Sequence, residues 1–328
     1  MTAGAVAPTH GARVAGAAVA GMAVVAHGTG PVGDVVLAHP WMPWSPCDES
    51  CLPACGSGGS GGSGGEVGEP RVSAVRASLR IAGAFGALLA GAVVAAAFPL
   101  LGERGRAWVM RWWLRLVLAA FGVRLVVNGP AVPRGALVVA NHTSWLDIMA
   151  LELIAPCRMV AKREVRDWFL IGRLATAAGS LYLDRERLRS LPAAVRQMSD
   201  VLRSGGAVAV FPEGTTWCGR GSGRYRSAAF QAAIDADAPV VAVALRFLLP
   251  DGNPTSTASD IGPASVWVAL RRTARLRGLV VQAEVLPTLR PREFADRRAL
   301  ALAAEQMVAA ACGLAVAPSA GSAPASAA

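Results

Sequence analysis

The sequence predicts an α/β fold, a single domain whose partly parallel sheet is flanked by helices and preceded by an N-terminal membrane helix or helical hairpin. Three observations carry that expectation. After Gly122, short β-branched runs alternate with helix-length segments; from Ile81 to Leu101 run 21 residues without a charge; and a Gly/Ser stretch from Gly56 to Gly65 separates an Ala/Gly/Pro-rich start from everything that reads as packed. The chain has 328 residues, 53% of them hydrophobic, and a mean hydropathy of +0.42. That excludes wholesale disorder and exceeds what a soluble domain usually carries.

Residues 1–70 read as a low-complexity tail ending in a flexible Gly/Ser linker. Val14 to Val25 is apolar, but at about 12 residues it is too short to span a bilayer. Gly58-Gly59-Ser60-Gly61-Gly62 satisfies the hydrolase pattern G-x-S-x-G without a strand before it or a helix after it, an accident of composition. Cys47, Cys51 and Cys55 stand as C-x3-C-x3-C near His39. Zinc sites more often show C-x2-C pairs, and Pro43, Pro46 and Pro53 argue for irregular chain, so no metal is expected and the segment reads as a Cys-containing tail without an assigned role. Six cysteines in a chain of this length are too few for a disulfide scaffold.

Residues 71–122 read as the membrane-anchoring segment. The 21 uncharged residues would make a helix of about 31 Å, close to the roughly 30 Å of a hydrocarbon core. Arg71, Arg76 and Arg80 precede it; Arg104, Arg106, Arg111 and Arg115 follow, interleaved with Trp108, Trp112 and Trp113, as at a membrane interface. Arginines on both sides leave the topology open between a single span and a hairpin. In the second segment Arg104, Arg111 and Arg115 share one helical face and Trp112, Leu116 and Ala119 another, the pattern of an interfacial helix.

Residues 123–312 form the expected catalytic domain. Strands are predicted near 123–127, 135–140, 158–161, 180–183, 206–211, 239–246 and 279–286, and helices near 145–155, 164–178, 187–204, 225–236 and 293–311. Residues 313–328, rich in Ala, Ser and Pro, read as a disordered tail.

The net charge is +10, yet Lys162 is the only lysine. An arginine-rich, nearly lysine-free composition does not make the clustered basic and aromatic footprint of a nucleic-acid binder, and no nucleic-acid partner is expected. Apolar excess with positive charge points to membrane lipids.

In an open α/β sheet, ligands bind beyond the carboxyl ends of the strands. Four predicted strands end in reactive side chains: Asn141-His142, Lys162, Asp184-Arg185 and Glu213-Gly214-Thr215. A base, cations and a carboxylate on one edge suit an anionic substrate. The sharpest feature is the H-x4-D spacing of His142 and Asp147. On a continuous helix, positions five apart diverge by about 140°, so the two side chains would not meet. If His142 lies in a turn and the helix starts near Ser144, Asp147 falls in the first turn and can curl back to the imidazole, fixing its tautomer and leaving the other nitrogen as a base.

The run from Asn141 to Asp147 resembles the NHxSxxD block of the glycerolipid acyltransferases typified by the 1-acylglycerol-3-phosphate (lysophosphatidic acid) type. Further blocks follow in family order: Lys162-Arg163-Glu164 with Gly172, Leu181 to Arg185, Phe211-Pro212-Glu213-Gly214-Thr215, and Ala238 to Val241. The resemblance covers about residues 75–290 and implies a single acyltransferase domain at the cell membrane, facing the cytoplasm. Its activity would be transfer of a fatty acyl group from acyl-CoA or acyl carrier protein to a lysophospholipid hydroxyl. It further implies His142 and Asp147 as catalytic residues, Arg185, Glu213, Gly214, Thr215 and Lys162 as acceptor-binding residues, and no cofactor beyond the acyl donor. Three positions depart from the pattern. Thr216 stands where the family usually has the Arg of EGTR, Phe169 where the Lys-Glu block has Pro, and Ala242 where the last block has Pro. Arg220, Arg224 and Arg226 follow closely and are candidates to replace the missing cation. Lysophosphatidic acid and another lysolipid, such as lyso-ornithine lipid, therefore both stay open as acceptor.

A lipid hydroxyl is a weak nucleophile, and a positioned histidine base contributes roughly 10²–10⁴-fold. Backbone N–H groups at the start of the helix after His142 are the expected holders of the thioester oxyanion. A lipase or thioesterase would need a nucleophile elbow, which occurs only in the linker. A non-catalytic membrane lipid-binding module would keep the cations and dispense with the base.

Overall fold

The computed structural model describes residues 23–25, 36–38, 43–53, 69–96, 100–185, 187–261 and 266–314. Most of the N-terminal tail, the Gly/Ser run, His39, Cys55, Pro99 and the tail from Ala315 lie outside them. The chain divides into two units, Met1–Trp44 and Ser45–Ala328. In the first, strands β1 (Ala23–Val25) and β2 (Val36–Ala38) pair antiparallel, with Ala23 opposite Ala38.

The second unit contains a seven-stranded sheet. Its strands are β3 (Arg124–Asn128), β4 (Leu137–Ala140), β5 (Cys157–Lys162), β6 (Leu181–Leu183), β7 (Ala207–Val210), β8 (Val240–Leu248) and β9 (Val280–Val285), in the spatial order β3-β9-β8-β4-β7-β5-β6. Every neighbouring pair is parallel except β8 with β9. The central strands β4 and β7 are buried at all four positions, as their unbroken apolar runs require of strands covered on both faces.

Alternation along each strand sorts the core into two layers. On one face Val138, Ala140, Val241 and Val243 pack with Leu118 and Phe121 of α2 (Glu103–Phe121) and Leu146 and Leu151 of α3 (Leu146–Ile154). On the other, Leu137, Val139, Val208 and Ala242 meet Met198 and Leu202 of α5 (Leu191–Arg203), Phe230 of α6 (Ala228–Ala236) and Leu300 of α8 (Arg297–Cys312). Asp296 caps α8, accepting from the Arg298 and Ala299 amides at 2.7 and 2.8 Å.

Three local expectations are corrected. The stretch read as one helix over 164–178 is a 3₁₀ turn, Arg163–Asp167, followed by α4 (Ile171–Ala177). Gly172 lets the two abut, because a Cβ there would lie 2.2 Å from the Arg166 carbonyl oxygen. The helix read from 187 begins with a 3₁₀ turn, Leu188–Ser190, and becomes α-helical at Leu191, with Pro192 in its first turn. Between β8 and β9 lies α7 (Val266–Arg275), which the strand-and-helix pattern did not reveal.

The α1 helix (Ala74–Ala96) begins before the uncharged run. Side-chain hydrogen bonds rather than loss of charge mark its first turns: Ser73 Oγ accepts from the Arg76 amide at 3.3 Å, and the Arg80 guanidinium donates to the carbonyls of Ala274 and Leu276 at 3.0 and 2.6 Å, within and just beyond the end of α7. Arg80 also lies over Gly122, the left-handed cap of α2 with φ +67°, where a Cβ would meet the guanidinium at 2.2 Å. Among the described residues, one helix is long and apolar enough to cross a membrane, Ala74–Val93, with mean hydropathy 1.3. The α2 helix packs back along it, with Ala120 facing Gly83 and Trp113 Nε1 donating to the Ala87 carbonyl at 2.6 Å. Val75, Leu79, Leu89 and Val93 on α1, and Trp108, Trp112 and Leu116 on α2, are left exposed.

Candidate active site

Because β4, β7, β5 and β6 run parallel as neighbours, their carboxyl ends open on one edge of the sheet. Asn141 ends β4 in an unusual way. Its side-chain amide donates to the Leu245 carbonyl at 2.9 Å and accepts from the Leu245 amide at 2.8 Å, continuing the ladder with β8 after the backbone has turned away. The chain is thereby released to place His142 above the edge.

Asp147 lies in the first turn of α3 and is fully buried, while the His142 side chain keeps 20% of its surface. Asp147 Oδ2 accepts from His142 Nδ1 at 2.9 Å, from the Thr143 amide at 2.6 Å and from the Ser144 amide at 2.7 Å. The five-residue spacing works because the segment between the two is a turn, not a helix. With Nδ1 facing the carboxylate, Nε2 is the nitrogen left to act as base. The His142 ring stacks on Phe211, centroids 4.0 Å apart and planes 10° from parallel. The Thr143 and Ser144 amides, just ahead of α3, are taken by Asp147 and are not free to hold an oxyanion.

The backbone of the turn is held from three directions. The His142 amide donates to Glu213 Oε2 at 2.7 Å, the His142 carbonyl accepts from the Trp217 amide at 2.7 Å, and the Thr143 carbonyl accepts from the Asp260 amide at 2.8 Å. Glu213 Oε1 accepts from Ser222 Oγ and the Gly223 amide, both at 3.0 Å. Oε2 therefore ties the turn after β7 to the histidine loop, and Oε1 ties it to the chain at Ser222 and Gly223. Burial lifts the Glu213 carboxyl to about 8, outweighing the three hydrogen bonds it accepts. Gly214, at φ +77°, makes the turn that follows, and its carbonyl accepts from Arg185 Nη1.

Lys162 and Arg185 stand close enough to repel, and burial with that repulsion lowers the Lys162 pKa. Burial also lowers that of Arg185, with a contribution from Arg226. Of the three arginines after Thr216, Arg226 is thus the one within electrostatic reach of Arg185, whereas Arg224 pairs with Glu305 at 3.4 Å. Thr216, in the place of the family arginine, donates through Oγ1 to the Asp260 carbonyl. Asp260 was not found by sequence reasoning. Burial raises its pKa against the pull of His142, Arg272 and Lys162, and its amide bonds the Thr143 carbonyl, so a second carboxylate belongs to the surroundings of His142. No motif spacing marks it, since it arrives from the loop before α7.

A family model described as Acyltransferase matches residues 124–246. The chain is 37% identical over 191 residues to the 1-acyl-sn-glycerol-3-phosphate acyltransferase of Neisseria meningitidis serogroup B, covering 57% of this chain and 73% of that one. It is 34% identical over 202 residues to the lyso-ornithine lipid O-acyltransferase of Pseudomonas aeruginosa, covering 60% and 76%. Among solved structures, the 1-acyl-sn-glycerophosphate acyltransferase of Thermotoga maritima superposes with a TM-score of 0.58 over 73% of this chain and 94% of its own, at 19% identity, a likeness of fold.

Proposed function

The chain belongs to the acyltransferase family, and from that premise we propose that it moves a fatty acyl group from acyl-CoA or acyl carrier protein to the free hydroxyl of 1-acylglycerol-3-phosphate, giving phosphatidic acid. The observation that carries the proposal is the 2.9 Å contact between His142 Nδ1 and the buried Asp147. His142 Nε2 takes the proton of the acceptor hydroxyl as its oxygen attacks the thioester carbonyl; collapse of the tetrahedral adduct expels the carrier thiolate, which receives that proton. Asp147 holds the tautomer and stabilises the imidazolium formed on the way. Arg185 and Lys162 bind the acceptor phosphate by charge-assisted hydrogen bonds, with Arg226 beside them. Glu213, Gly214 and Thr215 serve the acceptor site indirectly, by shaping the turn that carries it. The exposed apolar faces of α1 and α2 rest in the cell membrane and hold the catalytic domain at its cytoplasmic face.

A second acceptor, lyso-ornithine lipid, is favoured by one observation: the position of the family's EGTR arginine is Thr216, whose hydroxyl is turned to the Asp260 carbonyl. The decisive experiment supplies detergent-purified protein with labelled acyl-CoA and either lysophosphatidic acid or lyso-ornithine lipid, and identifies the product by mass. Phosphatidic acid as the main product supports the first acceptor. His142→Ala should lower turnover by roughly 10²–10⁴-fold, and near-normal turnover in that variant would refute the base assignment.

A further inference from the structure

Three cysteine sulfurs meet outside the acyl-transfer machinery. Cys47, Cys51 and Cys218 bring their Sγ atoms within 4.8 Å of one another, the first two half-buried and the third buried. Cys47 precedes and Cys51 closes a single 3₁₀ turn, Glu49–Cys51, whose N-cap Asp48 accepts from the Ser50 amide at 2.9 Å. Spacing alone made these two a poor metal pair. Cys218 changes the reading, because it comes from a loop 171 residues away from Cys47 and donates its amide to Cys47 Sγ at 3.3 Å. An amide N–H directed at sulfur is the outer-shell contact that stabilises a metal-bound thiolate. The turn is pinned again where Ser256 Oγ donates to the Cys51 carbonyl at 2.7 Å.

We propose that Cys47, Cys51 and Cys218 form a trithiolate site for zinc(II) that clamps the segment around residues 47–51 onto the loop behind His142. Tetrahedral zinc with Zn–S bonds of about 2.3 Å sets its sulfurs about 3.8 Å apart, so the cluster needs to tighten by about 1 Å at most, within the reach of cysteine side-chain rotation. The three protein ligands leave the fourth position to water or a further donor. Soft thiolates select zinc over magnesium or calcium, which take oxygen ligands. The site backs the proposed base through short links. Trp217, next to Cys218, donates its amide to the His142 carbonyl, and the Cys218 carbonyl accepts from Ser259 Oγ at 3.2 Å, one residue before Asp260. The ion would therefore act as a brace and not as a Lewis acid at the thioester.

The test is metal content, which does not depend on which lipid is acylated. Full-length protein, produced with added zinc and purified in detergent without chelator, should carry about one zinc per chain by elemental mass spectrometry. Cys47→Ser and Cys218→Ser should each lower the zinc content at least tenfold, while Cys157→Ser and Cys312→Ser keep it. Cobalt(II) exchanged into the wild type should give thiolate-to-cobalt charge-transfer absorption in the near ultraviolet, absent in Cys51→Ser. If Cys218→Ser fails to fold, Cys47→Ser still reports, because Cys47 lies outside the sheet and its packed helices. Zinc-free wild-type protein with reduced thiols, a disulfide within the trio in a non-reducing peptide map, or full zinc retained in Cys47→Ser would each overturn the proposal.

Discussion

Replacing Asp147 separates the two tasks that one buried oxygen performs. Oδ2 accepts from the His142 ring and from two buried backbone amides, Thr143 and Ser144. Asp147→Ala orphans both amides at about 1–3 kcal/mol each, so stability should fall by roughly 2–6 kcal/mol, and the melting temperature by roughly 5–20 °C for a domain of this size. Asp147→Asn leaves an acceptor at the Oδ2 position, and its amide nitrogen takes the place of Oδ1, which makes no hydrogen bond. The fold should then survive with a smaller fall in melting temperature than in Asp147→Ala, since both amides keep an acceptor. What is lost is the charge facing the imidazolium. A charge-assisted hydrogen bond is worth about 1.5–3 kcal/mol against about 0.5–1.5 for a neutral one, a difference that lowers turnover by roughly 5–15-fold. Thermal unfolding by tryptophan fluorescence and initial rates of labelled acyl transfer, measured on the same preparations, distinguish the variants. Asp147→Ala melting like the wild type would show that the amides do not depend on this carboxylate; Asp147→Asn turning over like the wild type would remove its charge from the mechanism.

Other perturbations test the remaining parts. Arg185→Ala should lower kcat/KM for lysophosphatidic acid by roughly 10–150-fold with little change in the donor KM, and equal impairment with lyso-ornithine lipid would refute phosphate recognition by Arg185. Glu213 binds its proton more tightly in the folded chain, at about 8, than at the ordinary value near 4.5, so its contribution to stability is complete at acid pH and is lost as pH rises through about 8. Melting temperatures across pH 5–9 should therefore fall toward the alkaline end and fall less in Glu213→Gln; parallel profiles for the two proteins would refute this. Changing Val75, Leu79, Leu89 and Val93 to Ser removes exposed side chains only, and each contributes roughly 1.5–3 kcal/mol when buried in lipid. The quadruple variant should leave the membrane pellet, and one that sediments fully would place the anchor elsewhere.

The candidate site's edge of the sheet was legible because its parts obey local rules. Apolar β-branched runs that end in polar residues mark parallel strands, so His142, Lys162, Arg185 and Glu213 could be assigned to one edge before any coordinates. The reach of Asp147 followed from placing a turn before α3. What escaped depends on distant chain. Asp260 and Cys218 enter the picture through loops whose composition carries no periodicity, and α7 is a ten-residue helix between them and β9. That Asp147 claims the Thr143 and Ser144 amides was not legible either, because a chain entering a helix offers free N–H groups in general and the sequence does not say which of them a side chain takes. The start of α1 was misplaced for a related reason: an arginine ends an apolar run in sequence, yet Arg80 is held inside the helix by carbonyls of a segment nearly two hundred residues later.

Asn141 performs the work of a peptide group with a side chain, and that substitution has a chemical lifetime. Its amide offers one donor and one acceptor in the order that the Leu245 carbonyl and amide require. Hydrolysis of that amide to a carboxylate would set oxygen against the Leu245 carbonyl oxygen in a buried place, turning an attraction into a repulsion. Slow deamidation at this single position would therefore age the enzyme from within, pushing β4 away from β8 beneath the histidine without touching a reacting atom. Stored protein should keep its activity through a mass gain of about 1 Da at exposed Asn128, which Gly129 makes the more labile site, and lose it in step with the same gain in the peptide carrying Asn141.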